Sequence, residues 1–222
     1  MYRHLSFFIA AFLGASVALA GPITYNVTVD TSSISGTAGA LDFNFNPGPL
    51  ATQAASLQIL NFTSDGTLAS CAANSQGFCP TGDVTGTLPG TLTFGNGAAF
   101  NDYFDGFTFG SAISFGVSLL GPALSSPDGV STSGSTFAFS MFSDAAGTMP
   151  VLTTDTTNGF AFTVDVNLDG STAVNSSSNQ TTVTPEASST PEPGCVFLLG
   201  VGLACIGVLR SRPYFRIRGK QT

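Results

Sequence analysis

Between Arg3 and Arg210 the chain contains no lysine or arginine, its only histidine is His4, and it has no tryptophan. Phosphate binding by displacement of counterions requires cationic side chains, so nucleic acid is excluded as a ligand of the body. The same gap removes Ser-His-Asp and Cys-His nucleophile systems, lysine Schiff bases, histidine-ligated zinc and arginine clamps on phosphate. All thirteen Asp and Glu lie between Asp30 and Glu192, so residues 21–193 carry a formal side-chain charge of −13, which the whole-chain value of −7 conceals. No side-chain ion pair can form within that segment. Amphipathic helical periodicity is also missing: outside the two termini no stripe at 3.6-residue spacing persists for ten residues.

Both ends of the chain are apolar. Met1-Tyr2-Arg3-His4 precedes an uncharged run over 5–19 that closes on Ala18-Leu19-Ala20. This is the three-part pattern of a secretory signal peptide, cut between Ala20 and Gly21, with a retained membrane anchor as the alternative. At the other end, residues 194–209 (GCVFLLGVGLACIGVL) carry no charge and are followed by Arg210, Arg212, Arg216, Arg218 and Lys220. Cations resist entry into hydrocarbon, so this run reads as a membrane helix halted by Arg210 and Arg212. At ~1.5 Å per residue it reaches only ~24 Å, short for a durable span and suited to a temporary anchor, with an ordinary C-terminal anchor as the alternative.

Pro191-Glu192-Pro193, the apolar run and the arginines follow one another without interruption. This tail resembles the PEP-CTERM protein-sorting signal of Gram-negative bacteria. The resemblance implies Pro191, Glu192 and Pro193 as a recognition motif for an exosortase-type membrane transpeptidase, passage through the secretory translocon, and delivery to the cell surface or an exopolysaccharide matrix. Ser211 interrupts the basic cluster, and residues 213–222 extend beyond a minimal tail. The body is similar to a group of PEP-CTERM proteins without an assigned activity. That likeness is carried by Val27-Thr28-Val29-Asp30-Thr31, Ser35-Gly36, Leu41-Asp42-Phe43, the run 82–88 (GDVTGTL), Phe100-Asn101-Asp102-Tyr103-Phe104 and Phe107-Thr108-Phe109-Gly110. It adds an expectation about fold and no catalytic residues.

Within the body, period-two alternation recurs. Ile23, Tyr25, Val27 and Val29 alternate with polar residues, as do Leu41, Phe43 and Phe45, then Ile113, Phe115, Val117 and Leu119, then Phe137, Phe139 and Met141, then Phe160, Phe162, Val164, Val166 and Leu168. Residues 54–62 are apolar on both parities and fit a buried strand or a short helix. Further short strands are expected at 84–88, at 91–94 and around Val151-Leu152, with Asn46-Pro47-Gly48-Pro49, Gly95-Asn96-Gly97 and Gly121-Pro122 as breaks. The expected fold is all-β, an antiparallel β-sandwich of jelly-roll type over residues 21–175, with helices only in the signal peptide and the tail. Fifteen phenylalanines between Phe43 and Phe162 supply its core. Residues 176–190 read as a Ser/Thr/Pro-rich linker that admits one edge strand at 181–184, and residues 191–222 as the sorting signal.

Three constellations could carry chemistry. Cys71 and Cys79 flank a short loop, CAANSQGFC. In an exported domain they are expected to form a disulfide that stabilises the fold by roughly 2.5 kcal/mol, whereas a zinc site lacks further ligands. Cys195 and Cys205 lie in the apolar tail. Asp165, Asn167 and Asp169 followed by Gly170 match the opening of a calcium loop, but Ser176 stands where the bidentate glutamate belongs. The competing reading is a strand ending in an Asp-Gly hairpin turn. Asp102 and Asp105, among Tyr103, Phe104 and Phe107, form either a platform for a sugar or an aromatic core cluster with a polar turn. The leading expectation is a non-enzymatic, matrix-associated structural protein without a cofactor. The alternatives are a calcium-assisted carbohydrate-binding module and a glycoside hydrolase using paired aspartates.

Overall fold

A computed structural model describes residues 21–69 and 79–186 of the chain. Twelve strands occur among them: β1 Ile23–Asp30, β2 Ala38–Pro47, β3 Ser56–Ser64, β4 Thr67–Leu68, β5 Val84–Thr85, β6 Leu92–Gly95, β7 Asp102–Thr108, β8 Ala112–Leu120, β9 Ser135–Phe142, β10 Phe160–Val166, β11 Thr172–Ser176 and β12 Thr181–Pro185. They form two six-stranded antiparallel sheets, β12-β1-β8-β3-β6-β5 (sheet A) and β11-β10-β9-β2-β7-β4 (sheet B). The expected all-β sandwich is therefore present. The helical content of the described body is a short 3-10 turn at Ser32–Ile34 and a single helical turn, α1 Pro122–Ser125. No helix among the described residues is long and apolar enough to cross a membrane.

Alternation explains the packing. Val27, Phe115, Leu57 and Phe94 from sheet A meet Leu41, Phe43, Tyr103, Phe139 and Phe162 from sheet B in one buried cluster. Phe43 lies at its middle, with ring centroids 5.4 Å from Phe115, 4.9 Å from Phe139 and 6.4 Å from Tyr103. Phe115 and Phe139 are 5.1 Å apart in edge-to-face geometry, which matches the quadrupole preference of aromatic rings. With no cation in the body, this apolar burial carries the stability, each fully buried large side chain contributing about 1.5–3 kcal/mol.

Several expected strands are altered locally. Residues 56–64 are a strand, and their apolar character on both parities has a cause: the register with β8 shifts between Leu60 and Thr63, and Asn61 adopts φ 54°. This bulge turns Phe62 onto the same inner face as Leu57 and Ile59. A second irregularity between Phe160 and Phe162 takes Phe160 off the face that buries Phe162, Val164 and Val166. Leu168 lies in the β10–β11 turn and is exposed. No strand forms around Val151-Leu152, where Leu152 has φ 56°, although Pro150 makes a single bridge to Phe142. Strand β12 occupies part of the stretch expected to be linker and pairs with β1, Val27 facing Val183.

Both ends of this body lie at one pole of the sandwich. β1 starts there beside the end of β8, Ile23 facing Leu119, and β12 finishes there, with Glu186 N–H donating to Thr24 O at 2.8 Å. The β2–β3, β6–β7, β8–β9 and β10–β11 connections share that pole.

Candidate functional site

The outer face of sheet B carries the arrangement with the most distinctive electrostatics. On β2 the side chains alternate, so Leu41, Phe43 and Phe45 enter the core while Asp42 and Asn44 face outward. β7 pairs with β2 so that Asp102 lies opposite Asn44 and Phe104 opposite Asp42. Asp42 and Asp102 are thus diagonal neighbours on one face, within reach of each other across the ladder. Their carboxyl groups are hydrogen-bonding partners. Asn44 Nδ2 donates to Asp42 Oδ1 at 2.7 Å. Asp102 is 6 % exposed, and its buried Oδ1 has no hydrogen-bond partner among the described residues.

Burial, with the neighbouring Asp42 acting in the same direction, pushes Asp102 up to about 9. Burial also raises Asp42, partly offset by hydrogen bonds from Asp102 and Asn44. Two carboxyl groups in contact cannot both ionise away from water, so the pair shares a proton at neutral pH. Glycoside hydrolysis sets its two carboxyl groups about 5–9.5 Å apart, leaving room for the sugar carbon or a water. A pair of carboxyl groups in hydrogen-bond contact is set closer than either spacing.

Asp102 and Asp105 do not form one platform. They are three apart within a continuous strand, so they project to opposite faces. Phe104 shares the outer face with Asp102, its ring 6.1 Å from that of Phe142, and a Cβ at position 147 would fall 2.7 Å from the Phe104 ring, which only glycine avoids. Asp105 faces inward and is 1 % exposed. Tyr103 Oη donates to Asp105 Oδ2 at 3.2 Å and accepts from Leu88 N–H at 3.0 Å. Burial, together with the Asp105 charge, pushes the Tyr103 phenol up to about 12. Of the two readings of this run, the buried aromatic cluster of Tyr103 and Phe107 is present, with Asp102 opening β7 and Asp105 within the strand.

The residues of the candidate calcium loop are bound to their own surroundings. Asp165 Oδ1 accepts from Thr136 Oγ1 at 2.7 Å and its Oδ2 from Asn175 Nδ2 at 3.0 Å. Asn167 Nδ2 donates to Ser171 Oγ at 3.0 Å, and Asp169 Oδ1 accepts from Ser171 N–H at 2.9 Å and Ser171 Oγ at 2.6 Å. Asp165 sits on strand β10 and Asp169 in the turn beyond it. These contacts belong to a polar cross-strand cluster and a closed turn.

Six outward aspartates in or beside turns follow the same rule. Asp65 accepts from Ser111 N–H at 2.8 Å, Ser111 Oγ at 2.6 Å and Ala112 N–H at 3.0 Å, and these bonds hold its carboxyl down to about 2. Asp30, Asp128, Asp144, Asp155 and Asp169 likewise accept backbone N–H groups two to five residues ahead, and each lies below the usual carboxylate range. In a body without cations, the backbone amides of turns take the place of ion-pair partners.

Among the other expected site residues, Gly21 is the first described residue. Ala18, Ala20, Pro191, Glu192, Pro193, Arg210 and Arg212 lie outside the described residues, as does Cys71. Cys79 is half-buried beside β7, its Sγ 3.4 Å from Phe104 O. Sequence reading did not identify the Asp42–Asp102 pair. The available signal is the outward parity of Asp42 and Asn44 opposite a run opening with Asn101-Asp102, and it becomes usable only once the strand register is known. Comparison with protein-family models, characterised proteins and solved structures finds no match to this chain.

Proposed function

We propose that this protein is an exported structural component of the cell surface or an exopolysaccharide matrix, directed there by its Pro191-Glu192-Pro193 tail and processed by an exosortase-type transpeptidase. In this reading the signal peptide is removed before Gly21, residues 194–209 hold the chain briefly in the membrane, and a cation-free sandwich is released outside. The observation that carries the structural role is the use made of the carboxylates. Asp30, Asp65, Asp128, Asp144, Asp155 and Asp169 each brace a turn through backbone N–H groups. Such side chains stiffen loops and leave a strongly negative, hydrated exterior that resists nonspecific association.

A disulfide between Cys71 and Cys79 fits the same reading, because export leads to an oxidising compartment. The test is intact-mass measurement of the protein recovered outside exosortase-containing cells. The expected species begins at Gly21, lacks residues 210–222 and weighs 2 Da less than its reduced form. A released protein still carrying Arg210 to Thr222 overturns the processing step.

A further inference from the structure

Seven large apolar side chains are conspicuously exposed among the described residues, and five of them, Leu50, Phe100, Leu120, Val130 and Leu168, lie at the pole from which both ends of the body leave. Leu50 is 63 %, Val130 76 % and Leu168 50 % exposed. These three sit on adjoining loops. Leu50 N–H donates to Ser133 Oγ at 3.2 Å, and Thr52, Ser131, Ser133 and Leu168 line one small crevice. Phe100 is on the neighbouring β6–β7 connection, 54 % exposed. At the opposite pole, among the described residues, only Met149 is comparably exposed, at 61 %. Isolated exposed apolar residues are ordinary, whereas their collection at one end of an acidic domain is not.

We propose that this pole rests on a zwitterionic lipid surface, with Leu50, Val130 and Leu168 entering the headgroup layer while the chain is still attached by its tail. The inference rests on the tethered reading given above. Glu186 and Gly194 are eight residues apart, a connection of at most about 28 Å, and it leaves the body from this pole. Tethering raises the local concentration of the loops at the surface, so contacts too weak to hold a free domain become occupied. Charge decides the lipid class. The body offers no cationic side chain to anionic headgroups, and Asp128, Asp169 and Glu186 at this pole oppose them. Asp128 and Asp169 turn carboxylate oxygens onto Ser131 and Ser171 of their own loops, leaving the neighbouring Val130 and Leu168 as the projecting groups.

The absence of tryptophan makes the test direct. Chains spanning residues 21–222, the form left by signal-peptide removal, and carrying Leu50→Trp, Val130→Trp, Leu168→Trp or Met149→Trp are reconstituted into phosphatidylcholine vesicles, with and without lipids brominated on the acyl chains. Quenching of the three polar-end tryptophans severalfold stronger than at position 149 is expected, weakening when anionic lipid is added. If the protein floats with the vesicles but all four positions are quenched alike, docking is overturned and tethering stands. Blue-shifted emission at the three positions without bromine quenching means that protein, such as a second copy, covers the pole, and also overturns it. If the chain does not float at all, the tethered reading fails and docking fails with it.

Discussion

The carboxyl group of Asp102 is held against that of Asp42 on the outer face of sheet B, and the pair keeps a proton through the neutral range. A carboxyl whose folded pKa lies above its unfolded value binds its proton more tightly in the native state. Stability therefore declines as pH rises from the ordinary aspartate range, near 3.8, towards about 9, where the folded group finally ionises. Asp102→Asn replaces that proton with a permanent amide donor to Asp42. The variant is expected to be more stable than the parent above pH 7 by about 1–2 kcal/mol, with a flatter alkaline limb. Thermal melts from pH 5 to 10 check this; a parallel loss of stability at every pH would mean that the pair does not share a proton.

Acid acts on the protein through the turn-bracing aspartates, with the opposite sign. Asp65 is held down to about 2 by Ser111 and Ala112, so its contribution is complete above its unfolded value and is lost as pH falls towards 2. Together the two limbs predict a stability maximum on the acidic side of neutrality. Asp65→Asn should lower the melting temperature at pH 6 and leave it nearly unchanged at pH 2, where the parent has lost the same interaction. Circular dichroism melts at the two pH values give the comparison.

Asn61 tests the bulge that lets Phe62 reach the core. Its φ of 54° lies in the left-handed region, where Asn is tolerated and a β-branched residue is strained. Asn61→Val is expected to cost about 1–3 kcal/mol and Asn61→Gly much less, as read from urea denaturation midpoints. Equal losses in the two variants would place the role of Asn61 in its side chain instead of its backbone.

The central strands were legible because their inner faces bury large residues, and Phe43, Phe115 and Phe139 announce the alternation. Edge strands were less so. β11, TAVNS, and β12, TTVTP, cover only the margins of the core, so their sequences are nearly as polar as the turns around them. At 54–62 the bulge mixed two parities and obscured the period. The Asp42–Asp102 contact was hidden for another reason: it joins residues sixty apart, and only the β2–β7 register brings them to one face. Asp102 and Asp105 could have been separated from sequence alone, since an odd spacing within a strand divides the faces.

Asp165 distinguishes a metal ligand from a structural acceptor. Its two oxygens take hydrogen bonds from Thr136 on β9 and Asn175 on β11, so it links three strands of sheet B across their outer face. On this geometry Asp165→Asn weakens the cross-strand network by about 1 kcal/mol whether calcium or chelator is present, because the lost interactions are within the protein. A calcium site would behave differently. The parent would melt higher in excess calcium by mass action, and Asp165→Asn would abolish that increment specifically. Melting both proteins in millimolar calcium and in chelator separates the cases, with a calcium-independent loss expected. Asn175→Ala should reproduce part of that loss, since it removes the donor to one of the same carboxylate oxygens while leaving the Asp165-Asn167-Asp169 sequence intact.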